Sequence, residues 1–221
     1  MTSMFRKTFF AAPLGYLYVM LCILPLLLPN GARAMPTADQ VVRDTAQQLI
    51  DALKKNREQL RKEPQKIYEL IEHIAVPHFD IPYIVRLVLG GAWRKATPQQ
   101  RERFTTAFRT FVINNYAKAL LQYSNETLTV YPVSPEQQNG KRVMVRSRLT
   151  GGGEAPVAIN YRMHVRDGEW KVYDVIVSGV SIVINYRNSF AEQIRDGGLD
   201  SLIDLIEQKN AAFRLEDDEH S

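Results

Sequence analysis

The polar residues best placed for chemistry stand where a run of β-branched residues gives way to a helical pattern. Asp174, Ser178 and Ser181 cluster at this junction, as the residues of a catalytic turn would. The segment from Ser178 to Ser181 nevertheless lacks the glycine before the serine that the nucleophile elbow of hydrolases requires. A carboxylate buried in a strand needs partners, so we predict that Asp174 has a structural bond to arginine, tyrosine or backbone donors.

The histidines do not follow a metal-binding pattern. His73 and His78 are five residues apart, which misses the i, i+4 spacing of ligands on one helix face. His78 and Asp80 could form an acid–base pair, but polar residues at a helix boundary more often cap the helix or face solvent. The glycines at 151–153 precede a strand pattern, so they are better explained as a hairpin than as a phosphate cradle. We therefore expect no enzyme, no metal and no cofactor.

The first 34 residues resemble an export signal. Arg6 and Lys7 form a basic start, Phe9 to Leu28 is an uncharged run of 20 residues, and small residues precede a cleavage point after Ala34. An uncharged run of this length could also anchor the chain in a membrane. Pro13, Gly15, Pro25 and the Pro-Asn-Gly break at 29–31 favour cleavage and hence an exported protein. The mature domain is then residues 35–221, which is long enough to bury about 70% of its unfolded surface.

Cleavage changes the charge and thiol content of the chain. It removes three of the 28 basic residues and leaves 25 against 24 acidic residues, so the formal charge falls from +4 to about +1. Nucleic-acid binding thereby loses its compositional support. The single cysteine, Cys22, is removed as well, which excludes disulfides and cysteine-based sites in the mature chain.

Helical patterns fill the N-terminal half, about residues 37–123. Thr37 caps a predicted helix that runs to about Arg61, and a second helix covers Gln65 to Ala75. Ile81 to Leu89 is apolar nearly all round and is predicted to be a buried helix. Thr97, Pro98 and Gln100 carry the start signals of a further helix that reaches about Tyr123 and is expected to be the longest.

A period of two replaces the helical period between about 125 and 180. Four neighbouring strands with hairpin-length connections, the last ending near Val177, predict an antiparallel meander. Arg142, Arg146 and Arg148 share one strand face, which could recognise anions, although a solvated outer face is the commoner explanation. Gly179 is predicted to be a pivot into helices at about 181–213. The fold class is α+β, with a curved four-stranded antiparallel sheet covered by helices and an N-terminal helical part.

Three segments together resemble one known family. They are Leu87 to Gly90 (LVLG), Trp93 to Arg101 (WRKATPQQR) and Tyr173 to Ser181 (YDVIVSGVS). Their order and spacing are similar to those of the periplasmic phospholipid-binding component of the Mla (maintenance of lipid asymmetry) transport system, also called the toluene-tolerance family. An acidic residue often stands in that family where this chain has Ser178, so no charge-dependent role is carried over to this position.

The resemblance implies a soluble carrier with an NTF2-like sheet that encloses phospholipid acyl chains. Such a carrier moves lipid between an outer-membrane lipoprotein–porin complex and an inner-membrane ABC transporter complex, without breaking bonds, and we expect a monomer. The apolar stripes supply the expected lining of the lipid cavity, namely Leu87, Trp93, Phe104, Phe108, Phe111, Val145, Leu149, Ile159, Tyr161, Val175, Val177, Ile182 and Tyr186.

Periodicity does not distinguish a packed interior from a hollow one. The same residues are compatible with an exported NTF2-like enzyme that acts on a small apolar ligand, or with a periplasmic adaptor whose core is filled. An enzyme would need polar groups that converge inside its pocket, and the stripes contain no obvious set of them.

Overall fold

Capping residues set the start of the first helix and a side-chain amide sets its end. The computed structural model describes residues 35–121, 126–151 and 154–219, so the predicted export signal lies outside the described residues. Helix α1 is Ala38–Lys55, and Thr37 and Gln40 form a reciprocal capping box at its start. The side chain of Asn56 donates to the carbonyl of Ala52 at 2.7 Å, and α2 (Arg57–Lys62) begins after it. The predicted continuous helix to Arg61 is therefore wrong, because Asn56 competes for helical backbone groups.

Three further helices of this half begin close to their predicted positions, and a fourth, short one was not predicted. They are α3 (Lys66–Leu70), which continues as a π-helical turn (Ile71–Ala75) and a 3-10 turn (Val76–His78), then α4 (Ile81–Leu89), α5 (Gly91–Lys95) and α6 (Pro98–Leu121). The Asp80 carboxylate accepts from the backbone N–H of Tyr83, and Thr97 and Gln100 cap α6 reciprocally. The buried helix predicted from Ile81 to Leu89 is confirmed.

The turn between α4 and α5 depends on a glycine. Gly90 has φ +53° and ψ −117°, and a Cβ atom at this position would lie 3.1 Å from Nε of Arg187. We expect Gly90→Ala to lower the free energy of unfolding by about 2 kcal/mol, because it adds backbone strain and a close contact. Urea unfolding measures this loss. Gly91→Ala is the matched control, since nothing lies within 4 Å of its added Cβ, and an equal loss in both variants would contradict the explanation.

Five antiparallel strands follow in the order β1-β2-β3-β4-β5. They are β1 (Thr127–Val130), β2 (Arg142–Gly151), β3 (Glu154–Arg166), β4 (Glu169–Val177) and β5 (Val180–Ser181), and the short helix α7 (Pro135–Gln138) lies between β1 and β2. The α+β class and the open antiparallel sheet are confirmed, but the predicted number of four strands is wrong. Ser178 and Gly179 both have positive φ, so the chain reverses there and pairs Val180 with Val177 before the last helix begins.

The C-terminal segment covers the sheet from one side. Helix α8 (Ile182–Glu219) is interrupted at Gly198, whose φ of 80° breaks the helical geometry where the sequence places two glycines. Its first part packs on β4 and α4, and α8 also packs along α6. Within the described ranges, no helix combines the length and the hydropathy that a membrane span needs.

Buried apolar side chains form three separate clusters. The first joins α4, α6 and α8 and includes Phe104, Phe108 and Phe190. The second joins the start of α1 to the sheet and includes Val42, Val145 and Trp170. The third lies among α1, α2, the α3 segment and the C-terminal half of α6, around Leu53, Ile67 and Ile113. Helix α1 thus belongs to two clusters, and the 11 residues from Val42 to Leu53 span about 16 Å of helix between them.

Candidate functional site

One face of the sheet carries an apolar surface that crosses four strands. The register pairs Val145 with Tyr161 and Tyr161 with Val175, and it pairs Ile159 with Val177. Residues paired across antiparallel strands point to the same side of the sheet. The surface, which we call the inner face, therefore contains Leu128, Val130, Val143, Val145, Ser147, Leu149, Val157, Ile159, Tyr161, Met163, Val165, Trp170, Val172, Val175 and Val177.

The inner face is packed at one end and accessible at the other. Val145, Met163 and Trp170 are at most 2% exposed and pack with the start of α1. Leu149, Ile159 and Val177, together with Leu128 and Val157, are only half-buried, although they lie on the same face. None of these five joins a buried cluster within the described part of the chain. Apolar side chains that line a cavity or groove have this combination of a common face, partial access and no packed partners.

The helical residues of the predicted lining form a second group. Tyr186 on α8 contacts Phe108 and Phe111 on α6 edge-on, at ring-centroid distances of 5.4 and 5.8 Å. Phe104 and Phe108 are 0% and 3% exposed, so they belong to the packed core of the helical layer. The half-buried residues Leu87, Trp93, Phe111 and Tyr186 pack against that core, and Ile182, also half-buried, begins α8 directly after β5.

The 13 predicted lining residues therefore differ in how closely the structure packs them. Phe104, Phe108 and Val145 are integral to packed clusters, and we assign them a structural role. Tyr161 and Val175 border the second cluster and connect it to the accessible end of the inner face. Leu149, Ile159, Val177 and Ile182 lie outside the clusters, and we predict that they contact a ligand. Leu128 and Val157 share the accessible end but were absent from the sequence-based set, although their place in the apolar stripes could have indicated them.

A few hydroxyl groups interrupt this apolar surface. Ser147 donates to the carbonyl of Ile159, and its side chain also hydrogen-bonds with Tyr161. Burial is the main cause that raises the pKa of Tyr161, to about 12. Tyr116 on α6 and Tyr186 on α8 share a hydrogen bond, and burial raises the pKa of both phenols. These hydroxyl groups are neutral at pH 7. Ser147 and Tyr161 therefore make the inner face polar at two positions without adding charge to it.

The raised pKa of Tyr161 predicts a loss of stability in alkali. The folded state favours the protonated phenol, so its stabilising effect is complete below pH 10, the usual pKa, and is lost as pH rises toward 12. We expect Tyr161→Phe to reduce this alkaline loss by about 3 kcal/mol, since a shift of one unit corresponds to about 1.4 kcal/mol. Urea unfolding at pH values on both sides of 10 measures it, and an unchanged pH dependence in the variant would contradict the assignment.

The carboxylates that the sequence singled out have structural roles. Asp174 is 3% exposed and accepts hydrogen bonds from Ser181 Oγ (2.7 Å), the backbone N–H of Val183 (3.1 Å) and Arg162 (3.1 Å). Ser181 Oγ in turn accepts from the N–H of Ile184 and so caps α8. Of the predicted partners of Asp174, which were arginine, tyrosine or backbone donors, an arginine and a backbone N–H are found. This network fixes the strand-to-helix junction and leaves Asp174 without a free oxygen for catalysis.

Asp80 is held in a second buried network that sequence reasoning missed. Its carboxylate contacts Nε2 of His164 at 2.8 Å, and the rings of His164, Tyr83 and Tyr173 contact one another. No local pattern indicates this pair, because His164 is 84 residues away from Asp80 in the chain. Across the described residues, no three His, Cys, Asp or Glu side chains are grouped as a metal site requires.

Comparison with models of protein families identifies the family of this chain. Residues 43–208 match the family model of the MlaC protein, which covers most of the described domain. The chain belongs to the MlaC protein family. This membership agrees with the three sequence segments from which the resemblance was inferred.

Relatives of known name agree with this membership. The chain is 35% identical over 191 residues to the toluene tolerance protein Ttg2D of Pseudomonas putida, covering 85% of this chain and 86% of that protein. It is 25% identical over 187 residues to the intermembrane phospholipid transport system binding protein MlaC of Haemophilus influenzae, covering 82% and 86%. A solved phospholipid-binding protein of Ralstonia solanacearum, in complex with a phospholipid, is 30% identical with a TM-score of 0.74, over 81% of this chain and 99% of that chain.

Proposed function

We propose that this protein is a periplasmic phospholipid carrier that shelters acyl chains against the accessible end of the inner face. The observation that carries the proposal is the set of half-buried apolar side chains outside the packed clusters, with Leu149, Ile159 and Val177 at its centre. The related protein of Ralstonia solanacearum was solved with a phospholipid, which supports the same ligand class here.

The physical chemistry of phospholipids explains why the lining is apolar. Two acyl chains contain about 30 methylene groups, and at ~0.8 kcal/mol each their exposure to water costs roughly 24 kcal/mol. A carrier must therefore cover most of both chains with apolar surface, while the headgroup stays near the opening. Neutral tyrosine and serine hydroxyls are compatible with such a lining, because they already have hydrogen-bond partners within the protein.

The proposed activity is transport without chemical change to the lipid. Asp174 and Asp80, the two buried carboxylates at the sheet–helix junctions, are both engaged in structural contacts. We propose that the carrier exchanges lipid with an outer-membrane lipoprotein–porin complex and with an inner-membrane ABC transporter complex. The names of its relatives, which include an intermembrane phospholipid transport component, support this place in a transport system.

Transfer of a fluorescent phospholipid between vesicles tests the carrier activity. Donor vesicles contain a self-quenched labelled lipid, and residues 35–221 are added together with unlabelled acceptor vesicles. We expect dequenching to rise with protein concentration, because each carrier molecule withdraws lipid from the donor. Dequenching no faster than with an unrelated protein of equal size would contradict the proposal.

A further inference from the structure

The outer face of β2, opposite the apolar inner face, carries a row of arginines. Arg142, Arg146 and Arg148 are exposed there, and Met144, which is 39% exposed, stands between the first two. Residues two apart on a strand are about 6.6–6.8 Å apart, so Arg146 and Arg148 present neighbouring guanidinium groups on one flat surface. Helices α4 and α8 cover the outer side of β4, whereas these positions on β2 remain accessible.

The strands on both sides of β2 place no acidic residue opposite Arg146 or Arg148. Arg148 is paired with Thr129 on β1 and with Ala158 on β3, and Arg146 is paired with Asn160. Arg162, opposite Met144, has its own carboxylate in the buried Asp174. Arg146 and Arg148 form no ion pair within the described residues.

A second exposed apolar residue adjoins the arginines. The backbone N–H of Tyr131 donates to the carbonyl of Arg146 at 2.9 Å, which extends the pairing of β1 and places Tyr131, 42% exposed, beside this row. The surface thus combines the guanidinium groups of Arg146 and Arg148, which have no acidic partner among the described residues, with an exposed thioether and an exposed phenol, and Arg142 at its end donates to the hydroxyl of Tyr83. We call it the basic face and define it by Tyr131, Arg142, Met144, Arg146 and Arg148.

We propose that the basic face docks the protein on the surface of a membrane that contains anionic phospholipids. Guanidinium groups bind phosphate oxygens in pairs, and tyrosine is favoured at the level of lipid headgroups, where its ring is apolar and its hydroxyl is solvated. Tyrosine, methionine and arginine are also enriched at protein interfaces, so binding to vesicles that contain no protein is the result that distinguishes a membrane from a protein partner. The proposal does not depend on the occupant of the inner face.

The charge balance of the chain strengthens this assignment. Residues 35–221 contain 25 basic and 24 acidic side chains, so a general excess of positive charge is absent and the attraction is local to this face. Each arginine near an anionic surface strengthens binding about five-fold, an effect that ions screen within ~8 Å at physiological salt. The expected binding is therefore weak and reversible, as a carrier that leaves the membrane again requires.

Co-sedimentation with vesicles tests the proposal. Residues 35–221 are mixed with vesicles of phosphatidylcholine containing phosphatidylglycerol, or of phosphatidylcholine alone, at low and at physiological salt. We expect binding only to the anionic vesicles, and the double variant Arg146→Gln, Arg148→Gln is expected to bind roughly 25-fold more weakly at low salt. Equal binding of the unaltered protein to both kinds of vesicle, or to neither, would overturn the proposal.

Matched variants separate local docking from a general charge effect. Lys54→Gln with Lys55→Gln removes the same charge from exposed positions at the end of α1, and we expect less than a two-fold change in binding. Arg146→Lys with Arg148→Lys keeps the charge and is expected to retain most of the binding. If the α1 variant weakens binding as much as the glutamine variant of β2, membrane docking by this face is refuted. Equal thermal midpoints establish that all variants are folded.

Discussion

Replacement of Asp174 by alanine is expected to lower the free energy of unfolding by about 3 kcal/mol, which is a large effect on stability. The carboxylate joins β4 to the first turn of α8 through Ser181 Oγ and the N–H of Val183. Its removal leaves these two buried donors without their acceptor, and each unsatisfied donor costs about 1–3 kcal/mol. Urea denaturation at neutral pH, monitored by circular dichroism, measures the loss.

Two variants test whether hydrogen bonding at the junction causes this loss. Asp174→Asn keeps one oxygen of similar position, so it can still accept from Val183, and we expect about half the effect. Asp44→Ala removes an exposed carboxylate on α1 and is expected to change stability by less than about 0.5 kcal/mol. A loss below about 1 kcal/mol for Asp174→Ala would contradict the structural role that we assign to the network.

The second large effect is expected when the accessible end of the inner face is filled. Leu149→Trp adds an indole where the side chain is half-buried and outside the packed clusters. We expect the amount of co-purified phospholipid to fall at least ten-fold, which corresponds to about 1.4 kcal/mol of binding free energy. Folding is expected to be retained, because the added ring occupies ligand space instead of packed core. Phosphorus analysis of the purified protein measures the occupancy.

Variants at other positions distinguish blockage from general damage. Val177→Trp tests the opposite side of the same surface and is expected to have a similar effect. Thr127→Trp adds the same ring to an exposed, outward position on β1, and we expect its lipid content to equal that of the unaltered protein. Normal occupancy in both Leu149→Trp and Val177→Trp would refute the assignment of these residues to the lining.

Local signals were sufficient to predict most of the elements. Thr37, Asp80 and Thr97 carry capping side chains, and each precedes a helix whose start is confirmed. The alternation through β2 to β4 predicted the antiparallel meander, and the position of Asp174 predicted bonds to arginine, tyrosine or backbone donors, of which Arg162 and the N–H of Val183 are found. In these cases the sequence neighbours of a residue determine its structure, so periodicity and capping rules are adequate.

Features that depend on competition or on distant partners were missed. Asn56 divides the first predicted helix because its side chain donates a hydrogen bond to the carbonyl of Ala52. The spacing of apolar residues does not predict this break. The two residues of β5 form a strand only because β4 offers them an edge after the turn at Gly179. The pair of His164 and Asp80 joins positions 84 residues apart.

Packing also determined which apolar residues are accessible. Phe104 and Leu149 both belong to regular apolar stripes, yet one is fully buried among helices and the other is half-buried on the sheet. The difference arises from the residues that lie opposite each side chain in the folded protein. The spacing of apolar residues along the sequence does not predict which residues these are. A packed and a hollow interior require the same apolar residues, so the structure was needed to separate core from predicted lining.

The central claim is that this protein carries phospholipid, and its most direct test is the lipid content of the purified protein. Residues 35–221 are purified without detergent, extracted with organic solvent and analysed by mass spectrometry with quantified phosphorus. We expect phospholipid in near-stoichiometric amount, and uptake from vesicles after the bound lipid has been removed. Protein that contains no phospholipid, and acquires none from vesicles while it remains folded, would contradict the account.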